Sequence, residues 1–494
     1  MPDTNAQSTE TSANLPARQY GLIGGMIVFL LFLAIPGPET LPPAGWAAGA
    51  VALLMAIWWM SEALPLAVTA LLPLVVFPVL GIAEFSQTTS SYSNPLIFLF
   101  LGGFILAKGL ERWQLHRRLA IAVLSRAGNN PVTILAGMMA ITAFLSMWIS
   151  NTATTMVMLP IAQSIATSLM QNDRNGEFGI QHDFAPALML SIAYAATIGG
   201  MGTLIGTPPN ALFAAFLRQT YDVTIGFAEW MMVGVPAVII LLPITFVLLT
   251  RVSFKVPGQL PGTSAQLTDS TLEQPGPMSA QQWTVAGVMV TVALLWLFRP
   301  LLANLAPGIP LTDAGIAMTG AVVLFILPDR SVPGGRLLGW EDLKALRWDV
   351  LILFGGGLAL ANAISSTGLA DWIGSGLSVL AYLPAALLVL IVMTVIVYLG
   401  ELASNTAMAA VFLPVAGAAA VGMGADPLEL ALPVVLAASL GFMLPVATPP
   451  NAIVFGSGAL TSQQMLRAGA LLDVIAILVA FGVALSFGRW VFGF

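Results

Sequence analysis

Two Ser-Asn-Thr triplets, Ser150-Asn151-Thr152 and Ser404-Asn405-Thr406, open the almost uncharged apolar stretches "SNTATTMVMLPIA" and "SNTAMAAVFLPVA". Downstream of each lies a Thr-Pro-Pro-Asn run, in "GTPPNALF" from Gly206 and "ATPPNAIVF" from Ala447. Hydroxyl and amide side chains at a helix start cap its free amides, and the partial positive charge there suits an anion. The same side-chain oxygens, beside carbonyls freed by unwound backbone, suit a hard cation such as Na⁺. A lone triplet is explained equally well by small polar residues that pack helices together. Two triplets, each followed by a Pro-Pro pair that cannot continue a helix, point instead to paired broken elements. At membrane depth such breaks are tolerated around a cavity.

The charged side chains narrow the chemistry further. Glu62, Glu401 and Asp473 are the acids that fall in apolar surroundings. Glu401, three residues before Ser404, is the best placed for a cation or proton role, with a hydrogen bond inside its own hairpin as the alternative. No Lys or Arg is expected at mid-depth, so an anion there must be neutralised by amides, half-helix ends and co-bound cations. His116 and His182 read as loop residues, and neither H-E-x-x-H nor G-x-S-x-G occurs, which argues against an intramembrane protease or lipase.

Positioning these residues requires a membrane fold. Of 494 residues 58% are hydrophobic and 8% charged, and the mean hydropathy is +0.91. That is more apolar surface than a soluble core of this size hides, and it defines an all-α polytopic membrane protein. No cysteine is present, which excludes disulfides and thiolate metal sites. Residues 1–19 are polar and read as a disordered cytoplasmic amino terminus, with 20–35 a first transmembrane helix that acts as an uncleaved signal anchor. Further apolar runs include Leu64 to Gly81, Phe184 to Leu217 and Leu430 to Leu460, the last two broken at their Thr-Pro-Pro-Asn runs.

An internal repeat organises these runs. "FLGGFILA" from Phe100 resembles "LFGGGLAL" from Leu353, and the triplets and Thr-Pro-Pro-Asn runs follow in the same order in both halves. Repeat 1 covers 46–250 with a re-entrant hairpin over 132–170. A cytoplasmic linker over 251–280, rich in Pro, Gly, Ser, Thr and Gln, leads to repeat 2 over 281–494, with its hairpin over 383–420. If the triplets tip re-entrant hairpins, eleven spans remain and 14 of the 17 Lys and Arg residues fall on one side, with Arg218, Arg299 and Arg489 on the other. The positive-inside rule makes the larger group cytoplasmic, the amino terminus inside and the carboxyl terminus outside. Each repeat then holds an odd number of spans, so the second is inverted relative to the first, an arrangement that exposes a midplane site to each side in turn.

"ASLGFMLPVATPPNAIV", Ala438 to Val454, agrees at every fixed position with the signature of the divalent anion:sodium symporter family, the sodium:dicarboxylate and sodium:sulfate symporters. With both triplets, the resemblance extends from about Trp46 onward. It implies a homodimer whose transport domain moves as an elevator against a scaffold. It implies one Na⁺ at Ser146, Ser150, Asn151 and the backbone of Gly199, and a second at position 400, Ser404, Asn405 and the backbone of Ala447. Position 400 is Gly400, where the family usually has a hydroxyl. The resemblance places substrate carboxylates at the triplets, Ser150, Asn151, Thr152, Ser404, Asn405 and Thr406, and at the loops carrying Thr207, Thr448 and Pro449. The expected function is sodium-coupled import of a four-carbon dicarboxylate such as succinate, malate or fumarate across a bacterial inner membrane, with no nucleic acid partner. A sodium-independent dicarboxylate exchanger is the alternative, then a sulfate or tricarboxylate symporter. A channel and an intramembrane hydrolase are disfavoured.

Overall fold

The computed structural model describes residues 15–126, 130–172, 180–258, 276–305, 308, 310–377 and 382–494. Of the expected amino-terminal segment, 1–14 lies outside the described residues, as does 259–275 of the expected linker. Among the described residues the chain is helical, with one isolated bridge between Pro328 and Arg336 and no strand.

The chain begins with α1 (Leu15–Ala34), which starts ahead of the expected Tyr20, and α2 (Pro43–Met60). The expected span from Leu64 to Gly81 is instead two short helices, α3 (Leu66–Thr69) and α4 (Leu72–Val79). Pro73 explains the break: it has no amide to donate, and its ring opposes the carbonyl four residues back, at Thr69. After α5 (Phe85–Ser90), α6 (Pro95–Arg112) is capped by Asn94, which accepts from the Leu96 amide at 3.0 Å. The basic stretch that follows, read from sequence as loop, forms the amphipathic helix α7 (Leu115–Leu124). It buries Leu115, His116, Ala120, Ile121 and Leu124 and exposes Arg117.

The first hairpin is α8 (Pro131–Ser146) and α9 (Asn151–Asn172), and the first broken helix is α10 (Ala185–Gly200) and α11 (Pro208–Tyr221). Next comes α12 (Phe227–Val247). Beyond α13 (Ala280–Leu305), α14 (Asp313–Ile326) and α15 (Trp340–Leu343) comes α16 (Trp348–Ser366), the counterpart of α6, followed by α17 (Leu369–Leu377). The second hairpin is α18 (Ala385–Gly400) and α19 (Asn405–Gly422); the second broken helix is α20 (Leu428–Ala438) and α21 (Pro449–Phe455); α22 (Ser462–Val483) matches α12.

Among the described residues nine helices are long and apolar enough to cross a membrane. Shorter apolar helices of 10–17 residues include the first arms of both hairpins. A 16-residue helix reaches about 24 Å against a hydrocarbon core of about 30 Å. The expected eleven spans therefore differ from the count by length, which also includes the second arms Asn151–Met170 and Asn405–Gly422. A tally of eleven requires broken or short helices to count as crossings.

All of α10 is buried. Its sequence "APALMLSIAYAATIGG" is apolar all round with many small residues, which lets α8, α9, α12 and α21 close on it from every side. By contrast, α1 and α13 expose Ile23, Leu30, Leu31, Val290, Leu294 and Leu297, as faces turned to lipid do. The core thus lies around the two hairpins and the two broken helices.

Candidate functional site

Each of the four chain breaks is followed by a new helix, and the break residues explain why. Ser150 caps α9, accepting from the Ala153 amide at 3.3 Å, and Ser404 stands in extended conformation at the start of α19. Thr207 and Thr448 are extended N-cap residues of α11 and α21, and Thr448 Oγ1 accepts from the Asn451 amide at 3.3 Å. The proline pairs occupy the first helical positions there. Their preset φ opens the second half-helix, and their missing amides would have been unpaired in any case. Pro-Pro therefore starts the second limb as well as ending the first.

The closing asparagine of each Thr-Pro-Pro-Asn run holds the break together. Asn210 Nδ2 donates to the carbonyls of Thr203 at 2.8 Å and Gly200 at 3.1 Å. Asn451 Nδ2 donates to Leu444 at 3.0 Å and Gly441 at 3.3 Å. These satisfy carbonyls that the unwound segments leave free. Sequence reasoning missed this role, although the repeated Asn in both runs was the available signal.

Four helix N-termini converge on one cavity of about 340 Å³. At about 30 Å³ per water, that is room for a small dianion and several waters. Its walls include Ser150, Asn151, Thr152, Thr207, Ser404, Asn405, Thr406, Ala447, Thr448 and Pro449, so every substrate residue expected from sequence borders it. Among the described residues neither Thr152 nor Thr406 spends its hydroxyl on a hydrogen bond, and both face this space. Ser146, Gly199 and Gly400 are buried behind the tips. A larger groove of about 690 Å³ between α7 and α9 contains none of these residues, so volume is no guide to the site here.

The two halves differ in how their oxygens are used. In the first, the Ser146 hydroxyl donates to the Ala196 carbonyl at 2.7 Å. Oriented with its amide nitrogen inward, Asn151 donates to Ser146 Oγ at 2.7 Å and to the carbonyls of Ala196 and Gly206 at 3.2 Å. A side chain at Gly199 would run into the Ala143 backbone, so its lack of one lets α10 approach the hairpin. In the second half, Asn405 Oδ1 is buried without a partner, an orphaned oxygen of the type a hard cation uses. Gly400 offers no hydroxyl beside it.

Glu401 binds outside its hairpin. Its carboxylate accepts from the amides of Phe442 at 2.7 Å, Met443 at 3.0 Å and Leu444 at 2.8 Å, all in the break before α21. Asp473 Oδ1, on α22, accepts from the same Phe442 amide at 3.2 Å. The hairpin-internal hydrogen bond, the alternative weighed for Glu401, is not the one made; the carboxylate ties the hairpin to the broken helix. Glu62, Arg347 and Asp349 also line the cavity, the last two beyond the site that the motifs mark out. His116 was expected in a loop; it is buried on α7, its Nδ1 donating to the Leu110 carbonyl at 3.1 Å, and burial pushes its imidazole below the ordinary value.

Such paired hairpins and broken helices around a central anion-suited cavity define a membrane transporter built from two like halves. Residues 17–494 match the sequence model of the family described as "Sodium:sulfate symporter transmembrane region", and the chain belongs to that family. It is 42% identical over 464 residues to the sodium-dependent dicarboxylate transporter SdcS of Staphylococcus aureus strain USA300, covering 93% of this chain and 89% of that protein. SdcS of strain NCTC 8325 matches to the same extent. Among solved structures, the YdaH transporter of Alcanivorax borkumensis aligns with a TM-score of 0.58 at 14% identity, over 90% of this chain and 99% of that one. The MtrF structure of Neisseria gonorrhoeae aligns with a TM-score of 0.55 at 13% identity, over 97% and 94%. At such identities these two likenesses concern the fold alone.

Proposed function

We infer that this chain is a secondary transporter that imports small dicarboxylates, of the succinate, malate and fumarate class, together with Na⁺. The observation that carries the reading is the convergence of both triplets and both Thr-Pro-Pro-Asn helix starts on a single cavity. At the triplet tips and the Thr-Pro-Pro-Asn starts its donors are neutral hydroxyls, amides and helix ends, suited to carboxylates accompanied by cations. The name carried by the Staphylococcus relatives supports the same substrate class and coupling ion.

In this reading Thr152 and Thr406, with Ser150, Asn151, Ser404, Asn405, Thr207, Thr448 and Pro449, receive the substrate. One Na⁺ lies at Ser146, Ser150, Asn151 and Gly199, and the other at Gly400, Ser404, Asn405 and Ala447. Asn405 Oδ1, buried and unpartnered, favours the second assignment. The protein acts as a homodimer in a bacterial inner membrane, with the amino terminus cytoplasmic, and moves the hairpins and broken helices as one body in an elevator motion. Uptake of labelled succinate by proteoliposomes under an inward Na⁺ gradient tests the reading. Accumulation that needs both the protein and Na⁺ supports it, and equal uptake without a gradient but with internal dicarboxylate would favour exchange.

A further inference from the structure

Arg347 carries the sole positive charge among the described residues that line the triplet cavity. It immediately precedes α16, and its guanidinium forks onto Asp349: Nε lies 3.0 Å from Oδ1 and Nη2 lies 2.9 Å from Oδ2. The pair is about half exposed, at 47% and 54%, so water competes for both groups and the pairing is weak. Asp349 does not depend on Arg347 alone. It sits in the first turn of α16, where the positive end of the helix favours a carboxylate.

Arg347 also borders a smaller adjoining space of about 50 Å³, shared with Lys108, Glu111 and Ser150. Lys108 is already paired with Glu111 at 3.2 Å. Ser150, the first residue of a triplet, thus shares both cavities with Arg347. A planar fork held by one weakly committed carboxylate is chemically prepared to exchange it for another.

We propose that Arg347 is an anion-capture residue at the mouth of the cavity, which takes one carboxylate of the dicarboxylate on its way to or from the triplet tips, and that Asp349 is its resident substitute when no anion is there. The inference rests on the carboxylate-binding reading of the cavity. By the charge distribution this mouth is cytoplasmic, and the triplets then need no cationic side chain of their own.

The test is succinate transport in right-side-out and inside-out membrane vesicles for wild type, Arg347→Gln, Arg347→Lys and Asp349→Asn. Arg347→Gln should raise KM for succinate roughly tenfold in inside-out vesicles, where one charge-assisted hydrogen-bonding partner is lost, with the maximal rate nearly kept. Arg347→Lys should recover part of the loss, and Asp349→Asn should move KM the other way, because it frees the guanidinium. Unchanged KM in both vesicle orientations for Arg347→Gln overturns the proposal, as does a fall in maximal rate at constant KM in both variants, which marks a purely structural pair. If wild-type vesicles take up no succinate, the site reading itself fails. A normal response to Thr152→Ala and Thr406→Ala beside a silent Arg347→Gln sinks the capture role alone.

Discussion

The Tyr194 hydroxyl, on α10 of the first repeat, donates to the carbonyl of Phe442 at 2.9 Å in the chain break of the second repeat, and the two rings meet edge to face 5.2 Å apart. The amide of the same Phe442 is held by Glu401 and Asp473. The backbone of one residue thus joins α10, the second hairpin and α22.

Tyr194→Phe removes the donor and leaves a buried carbonyl unpaired, at a cost of about 1–3 kcal/mol. Glu401→Gln should cost more, since one of the two oxygens that accept from three backbone amides becomes an NH2 set against a donor. Melting of the purified protein in detergent should drop by a few degrees for the first and further for the second. Two unshifted curves would show that this junction contributes nothing to stability.

Uptake should require Na⁺ and respond to membrane potential. Carrying a dianion into a compartment at about −100 mV costs roughly 4.6 kcal/mol, twice the ~2.3 kcal/mol for a single charge. Two Na⁺ cancel that electrical cost and a third makes uptake electrogenic. Proteoliposomes with Na⁺ replaced by choline should lose accumulation; retained uptake in choline excludes symport.

Thr152→Ala and Thr406→Ala each remove the hydroxyl of a residue that lines the cavity. A hydrogen bond to a charged group contributes about 1.5–3 kcal/mol, so KM for succinate should rise by about tenfold or more while the melting temperature stays near that of the parent. Unaltered KM in both would reduce the tips to packing.

Ser146 and Gly400 occupy equivalent positions, four residues before their triplets. A Cβ on Gly400 would meet Met408 Cγ at 3.8 Å and the Leu440 carbonyl at 4.0 Å, ordinary contacts that admit a side chain. Gly400→Thr should therefore raise apparent Na⁺ affinity by about fivefold, one hydrogen-bond equivalent of about 1 kcal/mol, and Ser146→Gly should lower it. Uptake measured against Na⁺ concentration decides. A Na⁺ curve that moves for Ser146→Gly and stays fixed for Gly400→Thr removes position 400 from the second site.

Acidification should weaken the fold through His116. Burial holds its imidazole neutral to lower pH than in the unfolded chain, where it titrates near 6.5, so the unfolded state binds the extra proton first. This contribution is intact above that pH and is lost as pH falls through the native value. The melting temperature should decline from neutral pH toward pH 5, less steeply in His116→Gln. Parallel declines in the two proteins would place the effect elsewhere.

The repeated motifs made much of the site legible, because triplets and Pro-Pro pairs act locally: they cap one helix and start another wherever they stand. Thus the breaks at 147–150, 201–207, 401–404 and 439–448 fall where the motifs put them. Partners distant in sequence were not legible. Glu401 was weighed against its own hairpin, whereas its amides lie some forty residues on. Arg347 falls among the 14 basic residues that the charge distribution assigns to the cytoplasmic side, which does not reveal that it lines the cavity. The Leu64 to Gly81 run is apolar as read, and its interruption between Thr69 and Leu72 has a local reason in Pro73, which composition does not show.

Asn210 and Asn451 staple their interruptions with side chains that are 1% and 0% exposed. Backbone fastened in this way is a stiff insert, and each rewinding of it would strip several buried carbonyls of their donors. In the transport reading proposed above, both interruptions therefore stay whole while the substrate changes sides.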